Sequence, residues 1–182
     1  MKQSKKILIA NRGVIAIRAL RAARELGYSV ASVYSTIDRD QKHLKLSDEA
    51  ICIGPPETKD SYLNEAAIIS AAELSGADAI YPGFGFLAEN ASFAEKCRES
   101  GFKFIGPDPE VIAIMGDKIK AKELAKSLNI PVVPGYEGEI SNENEAIKIV
   151  EEIGYPVIIK ASAGGGGRGM SCLLYTSDAA DE

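Results

Sequence analysis

Apolar and polar positions change in blocks along the first part of the chain. Lys6-Ile7-Leu8-Ile9-Ala10 is a short, mostly apolar run, as buried parallel strands are. Ile15, Ala19, Ala22, Ala23 and Leu26 then recur at i, i+4, i+7, i+8 and i+11, one face of a helix that Gly27 ends. Arg18, Arg21, Arg24 and Glu25 fall on its other sides. Ser29 to Tyr34 and Ala50-Ile51-Cys52-Ile53 read as the second and third strands, the latter ended by Gly54-Pro55-Pro56. Ser61 is placed to cap a helix that stops at Gly76. Asp78-Ala79-Ile80-Tyr81 is a strand ended by Pro82-Gly83, Ala91 to Ser100 a helix, and Lys103-Phe104-Ile105 a strand. This alternation predicts an α/β fold with a doubly wound parallel sheet. In such sheets ligands bind beyond the carboxyl ends of the strands.

The rhythm changes at Asp108-Pro109-Glu110, where a capping aspartate, a proline and an acid open a helix. Gly116-Asp117 interrupts it, and a second helix runs to about Leu128, closed by Asn129-Ile130-Pro131. Val132 to Ser141 is a turn-rich connection. A helix from about Asn142 to Ile153 follows, stopped by Gly154 and succeeded by a strand at Val157-Ile158-Ile159. A domain boundary is expected within residues 108–117, with a second domain barely begun where the sequence stops.

Composition narrows the class. The chain has 182 residues, enough for one domain or one and part of another. Apolar residues make up 46% and charged residues 26%, a packed core with an ordinary water-facing surface. The net charge of −5 comes without a basic block, so nothing points to nucleic acid. The apolar run Ile7 to Ala10 is too short for a signal peptide core, and no stretch approaches a membrane span. Cys52, Cys97 and Cys172 have no CxxC spacing and read as buried small apolar residues in a reducing, cytoplasmic compartment. The single histidine, His43, lies among charges and reads as a surface residue.

Candidate chemistry concentrates in Ile158 to Met170, "IIKASAGGGGRGM", where a strand ends in Lys160 and glycines Gly164, Gly165, Gly166 and Gly167 precede Arg168 and Gly169. A phosphate loop of the GxxxxGK[ST] type is excluded, because the lysine precedes the glycines. GxGxxG matches at Gly164, Gly166 and Gly169, but no helical pattern follows directly. A second near-match, Gly83-x-Gly85-x-x-Ala88, does lie between a strand and a helix and leaves a dinucleotide site open as an alternative. A further reading is a lid. Glycine N–H groups approach phosphate oxygens without Cβ obstruction, Arg168 adds charge-assisted bonds, and Lys160 supplies a point charge beneath. The bland counterpart is a flexible linker with a surface lysine, which would not ordinarily follow a buried strand.

The motifs "KILIANRG", "DRDQKHLKLSDEAICIGP", "SYLN", "AAIISAA", "YPGFGFLAEN", "FAEKC", "FIGP", "MGDKIKAK", "PVVPG" and "GYPVIIKASAGGGGRGM", in this order, resemble biotin carboxylase. The resemblance covers residues 5 to 170. It implies a Rossmann-like, pre-ATP-grasp domain over residues 1–113 and the start of an ATP-grasp domain over 114–170. It also implies ATP contacts for Lys118 of "MGDK", for Lys160 of "IIKAS", and for Gly166 and Gly167. Gly164, Gly165, Arg168 and Gly169 would complete the lid loop. Arg21 and Glu25 match positions at the family's dimer interface; their i, i+4 spacing alone says only an exposed helix pair.

Several positions depart from the family pattern. Val14 stands where Glu is common, Phe84 where Tyr is common, Tyr81 where some members have His, and Ala163 where Gly is common. None touches the two lysines. After Met170 the family continues with a basic, valine-rich strand, whereas "CLLYTSDAADE", Cys172 to Glu182, resembles the translation of a transposon-type sequencing adaptor. Residues 171–182 therefore read as a non-native tail.

The implied reaction is ATP-dependent carboxylation of biotin by bicarbonate, through carboxyphosphate, as the first half-reaction of an acetyl-CoA, propionyl-CoA or pyruvate carboxylase. Its implied cofactors are ATP and Mg2+ or Mn2+, with bicarbonate and carrier-bound biotin as substrates. Its implied partners are a biotin carboxyl carrier protein or domain, a carboxyltransferase component and a second copy of the chain, with neither nucleic acid nor membrane. The family's metal carboxylates, acid–base residues and bicarbonate-binding arginine lie beyond residue 170, so no catalytic or metal-ligating residue is assigned within these residues, which are expected to be inactive alone. Two alternatives stay open: another ATP-grasp ligase, such as a carbamoyl-phosphate synthetase large chain, and a non-catalytic nucleotide-binding module.

Overall fold

The computed structural model describes residues 5–133, 135, 136, 138, 140–160 and 170–173. The chain divides into two compact units, Met1–Ala113 and Ile114–Glu182.

The first unit is built on five parallel strands: β1 (Lys6–Ile9), β2 (Ser29–Ser35), β3 (Glu49–Gly54), β4 (Ala79–Tyr81) and β5 (Lys103–Phe104). Their order is β3-β2-β1-β4-β5, as expected for a doubly wound sheet. Ile7 pairs with Val30 on one side and Ala79 on the other, so β1 is central. The chain builds outward from β1 through β2 to β3, then returns to β1's other edge with β4. The direction of winding thus reverses between β1 and β4.

Strand periodicity divides the core into two layers. Ile9 and Val30 pack with Ala16, Leu20 and Ala23 of α1 (Gly13–Glu25). Leu8, Ala10, Ala31 and Val33 face the other way. They meet Ile68, Ala71 and Ala72 of α3 (Glu65–Ser75) and Phe93 and Cys97 of α4 (Ala91–Glu99). Burial pushes the Cys97 thiol up to about 12, so it packs as a small apolar group.

Several expectations are corrected here. Of the expected stripe Ile15, Ala19, Ala22, Ala23 and Leu26, Ala23 is buried and Ala19 packs at the margin, but the buried face centres on Ala16 and Leu20, and Leu26 is 75% exposed. The alanine-rich helix offers apolar residues on adjoining faces, and Ile9 and Val30 decide which one is covered. Ser61 does not cap α3. Asn64 does, accepting the Ala67 N–H at 3.1 Å, while Ser61 lies at the end of a preceding 3-10 turn, Thr58–Asp60. Cys52 is exposed because β3 is an edge strand, and Cys172 is exposed as well.

His43 is no surface residue. It is fully buried in α2 (Lys42–Leu46), a short helix for which five residues give no readable period. Its Nε2 lies 3.4 Å from the Val33 carbonyl, and Nδ1 has no hydrogen-bond partner among the described residues. Burial holds this imidazole below its ordinary pKa, in the neutral form, although the Val33 carbonyl and Asp38 work against that.

Helix α5 (Pro109–Gly116) crosses the division between the units. The second unit contains α6 (Lys118–Ser127), α7 (Glu143–Ile153), and β6 (Val157–Lys160) paired antiparallel with β7 (Met170–Leu173). Val157 stands opposite Leu173 and Lys160 opposite Met170. Asn142 caps α7 by accepting the Glu145 N–H at 3.0 Å, and the Glu145 carboxylate reaches back to the Ser141 N–H at 2.9 Å.

Candidate functional site

In the second unit the sequence points to Lys118, Lys160 and the glycine loop. Lys118 is the first residue of α6, next to Asp117, whose side chain caps the helix. Asp117 accepts the Ile119 N–H at 3.0 Å and the Lys120 N–H at 3.1 Å. Those N–H bonds, that of Lys120 first, hold its carboxyl below the usual range. The "GDK" step is thus a helix start, and it fixes the backbone from which Lys118 projects. Lys160 closes β6 opposite Met170. Its side chain, and the loop residues Gly164, Gly165, Gly166, Gly167, Arg168 and Gly169, lie outside the described residues. Among the described residues no group of three or more His, Cys, Asp or Glu side chains is arranged to hold a metal ion.

Arg21 and Glu25 both lie exposed on α1, one turn apart. No ion pair joins them, so each is available to another surface. Arg24, between them in sequence, is instead paired with Asp48 at 2.9 Å.

In the first unit the structure assembles a polar cluster at the carboxyl ends of the strands, which sequence reasoning missed. Asp38, at the end of a 3-10 turn (Thr36–Asp38) after β2, is 5% exposed. Its Oδ2 accepts from Tyr62 Oη at 2.7 Å, Ser35 Oγ at 2.8 Å and Arg12 Nη1 at 3.1 Å. Burial alone would raise this carboxyl, but the three donors and the arginine charge outweigh it and hold Asp38 below the ordinary range. Burial and the Asp38 carboxylate push the Tyr62 phenol upward, so it stays a neutral donor. Tyr62 also accepts the Ser35 N–H at 3.2 Å. Its ring stacks on Phe86, with centroids 4.8 Å apart and planes at 12°. The Arg12 guanidinium covers both rings, 5.2 Å from Tyr62 and 5.5 Å from Phe86.

Asn11 closes the gap between β1 and β4. It is 1% exposed, and its side-chain amide donates to the carbonyls of Pro82 at 2.6 Å and Phe84 at 3.0 Å. Its oxygen accepts the Arg12 N–H at 2.8 Å. This clamp holds a turn in which Gly83, Gly85 and the non-glycine Phe86 all have positive φ, at 71°, 72° and 43°. The same geometry argues against a dinucleotide site at Gly83-x-Gly85. The turn does not lead directly into α4, since Phe86 to Asn90 intervene. The first-turn N–H of Phe93 is already taken by the Asn90 side chain at 2.9 Å. One local signal for this cluster existed, the polar pair Asn11-Arg12 directly after an apolar strand.

Comparison with known proteins follows the same division. Residues 3–112 match the model of the biotin carboxylase N-terminal domain. Residues 117–181 match that of the carbamoyl-phosphate synthase L chain ATP-binding domain. The chain is similar to the biotin carboxylase of Haemophilus influenzae, 56% identical over 178 residues, which are 97% of this chain and 40% of that protein. It is similar to biotin carboxylase 1 of Bacillus subtilis, 56% identical over 166 residues, 91% of this chain and 37% of that one. Among solved structures, the Campylobacter jejuni biotin carboxylase in complex with a β,γ-ATP ligand superposes with a TM-score of 0.90 at 51% identity, covering 94% of this chain and 38% of that one. The biotin carboxylase domain dimer of Hydrogenobacter thermophilus 2-oxoglutarate carboxylase, solved with MgADP and bicarbonate, gives 0.88 at 49% identity, with 94% and 38% covered. The chain spans about 40% of the length of the curated relatives it matches. Motifs, sheet order and these matches agree, and the chain belongs to the biotin carboxylase N-terminal domain family.

Proposed function

We propose that the chain is the amino-terminal part of a biotin carboxylase, which uses ATP and bicarbonate to carboxylate biotin held on a carrier protein or domain. The observation that carries this reading is identity of 56% to a biotin carboxylase along 97% of the chain. The match of residues 117–181 to a carbamoyl-phosphate synthase ATP-binding model agrees with an ATP-handling second unit. A carbamoyl-phosphate synthetase itself is disfavoured by the match of residues 3–112 to the biotin carboxylase N-terminal model.

Within this reading residues 1–113 are the pre-ATP-grasp domain and 114–170 the beginning of the ATP-grasp domain. Residues 171–182 are read as a non-native tail because the family's motifs stop at Met170, while the match to the ATP-binding model runs on to residue 181. Lys118 and Lys160 hold ATP phosphates as point charges, and Gly166 and Gly167 offer backbone N–H groups, with Gly164, Gly165, Arg168 and Gly169 completing a lid. Mg2+ or Mn2+, bound with the nucleotide, would neutralise phosphate charge; among the described residues no cluster of three or more His, Cys, Asp or Glu is arranged to hold it. Arg21 and Glu25, exposed and unpaired with each other, suit a contact between two copies of the chain. A carrier and a carboxyltransferase component complete the assembly. A cytoplasmic location agrees with the lack, among the described residues, of any helix long and apolar enough to cross a membrane.

The test is made in the full-length parent, as ATP cleavage that requires both bicarbonate and biotin. There Lys160→Gln removes one charge-assisted contact of about 1.5–3 kcal/mol and should raise the Michaelis constant for ATP roughly ten-fold or more. An unchanged constant would reduce Lys160 to a strand-end residue. Turnover independent of biotin would overturn the assignment of the reaction.

A further inference from the structure

We propose that Arg12 forms an oxyanion-binding subsite at the carboxyl ends of β1 and β4, with Asp38, Tyr62 and Phe86 as the residues that position its guanidinium. The inference goes beyond the proposed carboxylation, because nothing in that reading assigns Arg12 a ligand.

Three observations carry it. The first is commitment of one side of the guanidinium. Nη1 donates to Asp38 at 3.1 Å, and the guanidinium carbon lies 5.2 Å from the Tyr62 ring centroid and 5.5 Å from that of Phe86, which stack on each other. The second is what remains. No hydrogen bond joins Nε or Nη2 to another described residue, and the side chain is 40% exposed. The Nε–Nη2 edge is the fork that matches two oxygens of a carboxylate or phosphate. The third is location. Arg12 follows the central strand at the point where winding reverses between β1 and β4, where open α/β sheets bind ligands.

A surface arginine ordinarily loses side-chain freedom when it grips an anion. Here that freedom is already restricted. Asp38 is buried and held by Tyr62 and Ser35, so the counter-ion cannot easily follow the arginine outward. The guanidinium is held by a buried carboxylate beside two rings while the side chain stays 40% exposed. The ligand is an oxyanion, and its source, carboxyl-type or phosphoryl, is open.

The whole 182-residue chain, labelled with 15N, is titrated with acetate, bicarbonate or inorganic phosphate while the Arg12 Nε–Hε resonance is followed. Arg12→Lys supplies the assignment of that resonance. Sodium chloride at matched ionic strength is the control. The expected result is a saturable shift with half-saturation on the order of 10 mM, as suits one bidentate contact, and none with chloride. Saturation by phosphate alone identifies a phosphoryl ligand; saturation by acetate or bicarbonate identifies a carboxyl-type one. Shifts that match chloride, or that stay linear with all three anions, overturn the proposal. Asp38→Asn separates positioning from charge. Removing a negative charge would by itself tighten anion binding, whereas loss of positioning should raise the half-saturation several-fold. Tighter binding in that variant would take the positioning role away from Asp38.

Discussion

Tyr62→Phe is a small perturbation of the buried cluster whose size can be worked out from its bonds. The ring remains, so its stack on Phe86 and its contact with Arg12 are kept. Two polar interactions go: the donation to Asp38 at 2.7 Å and the acceptance of the Ser35 N–H at 3.2 Å. A hydrogen bond to a charged group contributes about 1.5–3 kcal/mol. The Ser35 N–H loses its side-chain acceptor, Tyr62 Oη, at a residue that is 0% exposed, and an unsatisfied buried group costs about 1–3 kcal/mol. Asp38 keeps two donors, which softens the loss, so the expected destabilisation is about 3 kcal/mol. Urea unfolding followed by circular dichroism should then show the midpoint falling by about 1–2 M.

The pH dependence of that difference has a definite sign. Asp38 titrates below its ordinary 3.8 in the fold, so the unfolded chain binds the proton first as pH falls. Its contribution is complete above about pH 5 and declines as pH drops through the unfolded and then the folded value. Removing the Tyr62 donor raises the folded value toward 3.8. The gap between wild type and variant should therefore be full at pH 7 and shrink on acidification below about pH 4. A gap under about 0.5 kcal/mol at pH 7, near the noise of surface substitutions, would refute the view that Asp38 is a buried charge held by its donors.

His43 acts in the same direction but in a window at higher pH. Its folded pKa lies below 6.5, so the unfolded state takes up the proton first as pH falls below 6.5, and stability should decline from there downward. His43→Leu should flatten that slope in urea midpoints measured from pH 7 to pH 5; an unaltered slope would show that other groups set it. Gly83→Ala meets positive φ and places a Cβ 2.7 Å from Ile15 Cγ2 and 3.1 Å from the Asn11 amide nitrogen. It should destabilise the first unit by about 1–3 kcal/mol in thermal unfolding, whereas Gly85→Ala, with the same φ but open space, should lose less.

What could be read from the sequence depended on how far apart the cooperating residues are. The strands at Ile7–Ile9 and Val30–Val33 announce themselves within a few residues, and the helix stops at Gly27 and Gly76 are local too. The buried face of α1 is not local. Ala16 and Leu20 are chosen over Ile15 and Ala22 by the side chains of Ile9 and Val30 beneath them, and small residues permit either rotation. His43 shows the same limit: its environment comes from Val33, ten residues away, and from a helix too short to have a face. The elements proposed to hold nucleotide are different again. Lys160 and the glycines suggested phosphate chemistry through composition and order, but assigning ATP to Lys118 needed the family's motifs, because a lysine at a helix start has no chemistry of its own to read.

The Asp38 cluster is the extreme case, and its physics explains why. Arg12, Ser35, Asp38, Tyr62 and Phe86 come from four separate segments, with Asp38 lying 26 residues from Arg12 and 24 from Tyr62. In "TIDRDQK" the aspartate is one charge among several, and nothing local distinguishes it from the exposed Asp40. Its burial follows only after the parallel sheet has brought the ends of β1, β2 and β4 to one edge. A carboxylate in that position must be given donors or be expelled, since an unpaired buried charge costs several kcal/mol. Tyr62 and Ser35 meet that demand from inside, and Arg12 from the rim. The inner donors make Asp38 a fixed counter-ion; the rim donor, bound to it through Nη1, stays 40% exposed. A purely structural ion pair would have no need of two stacked rings beneath an arginine that is 40% exposed. That asymmetry, with Nη1 on a buried carboxylate and Nε and Nη2 without a partner among the described residues at the reversal point of the sheet, is the physical ground for expecting an anion there.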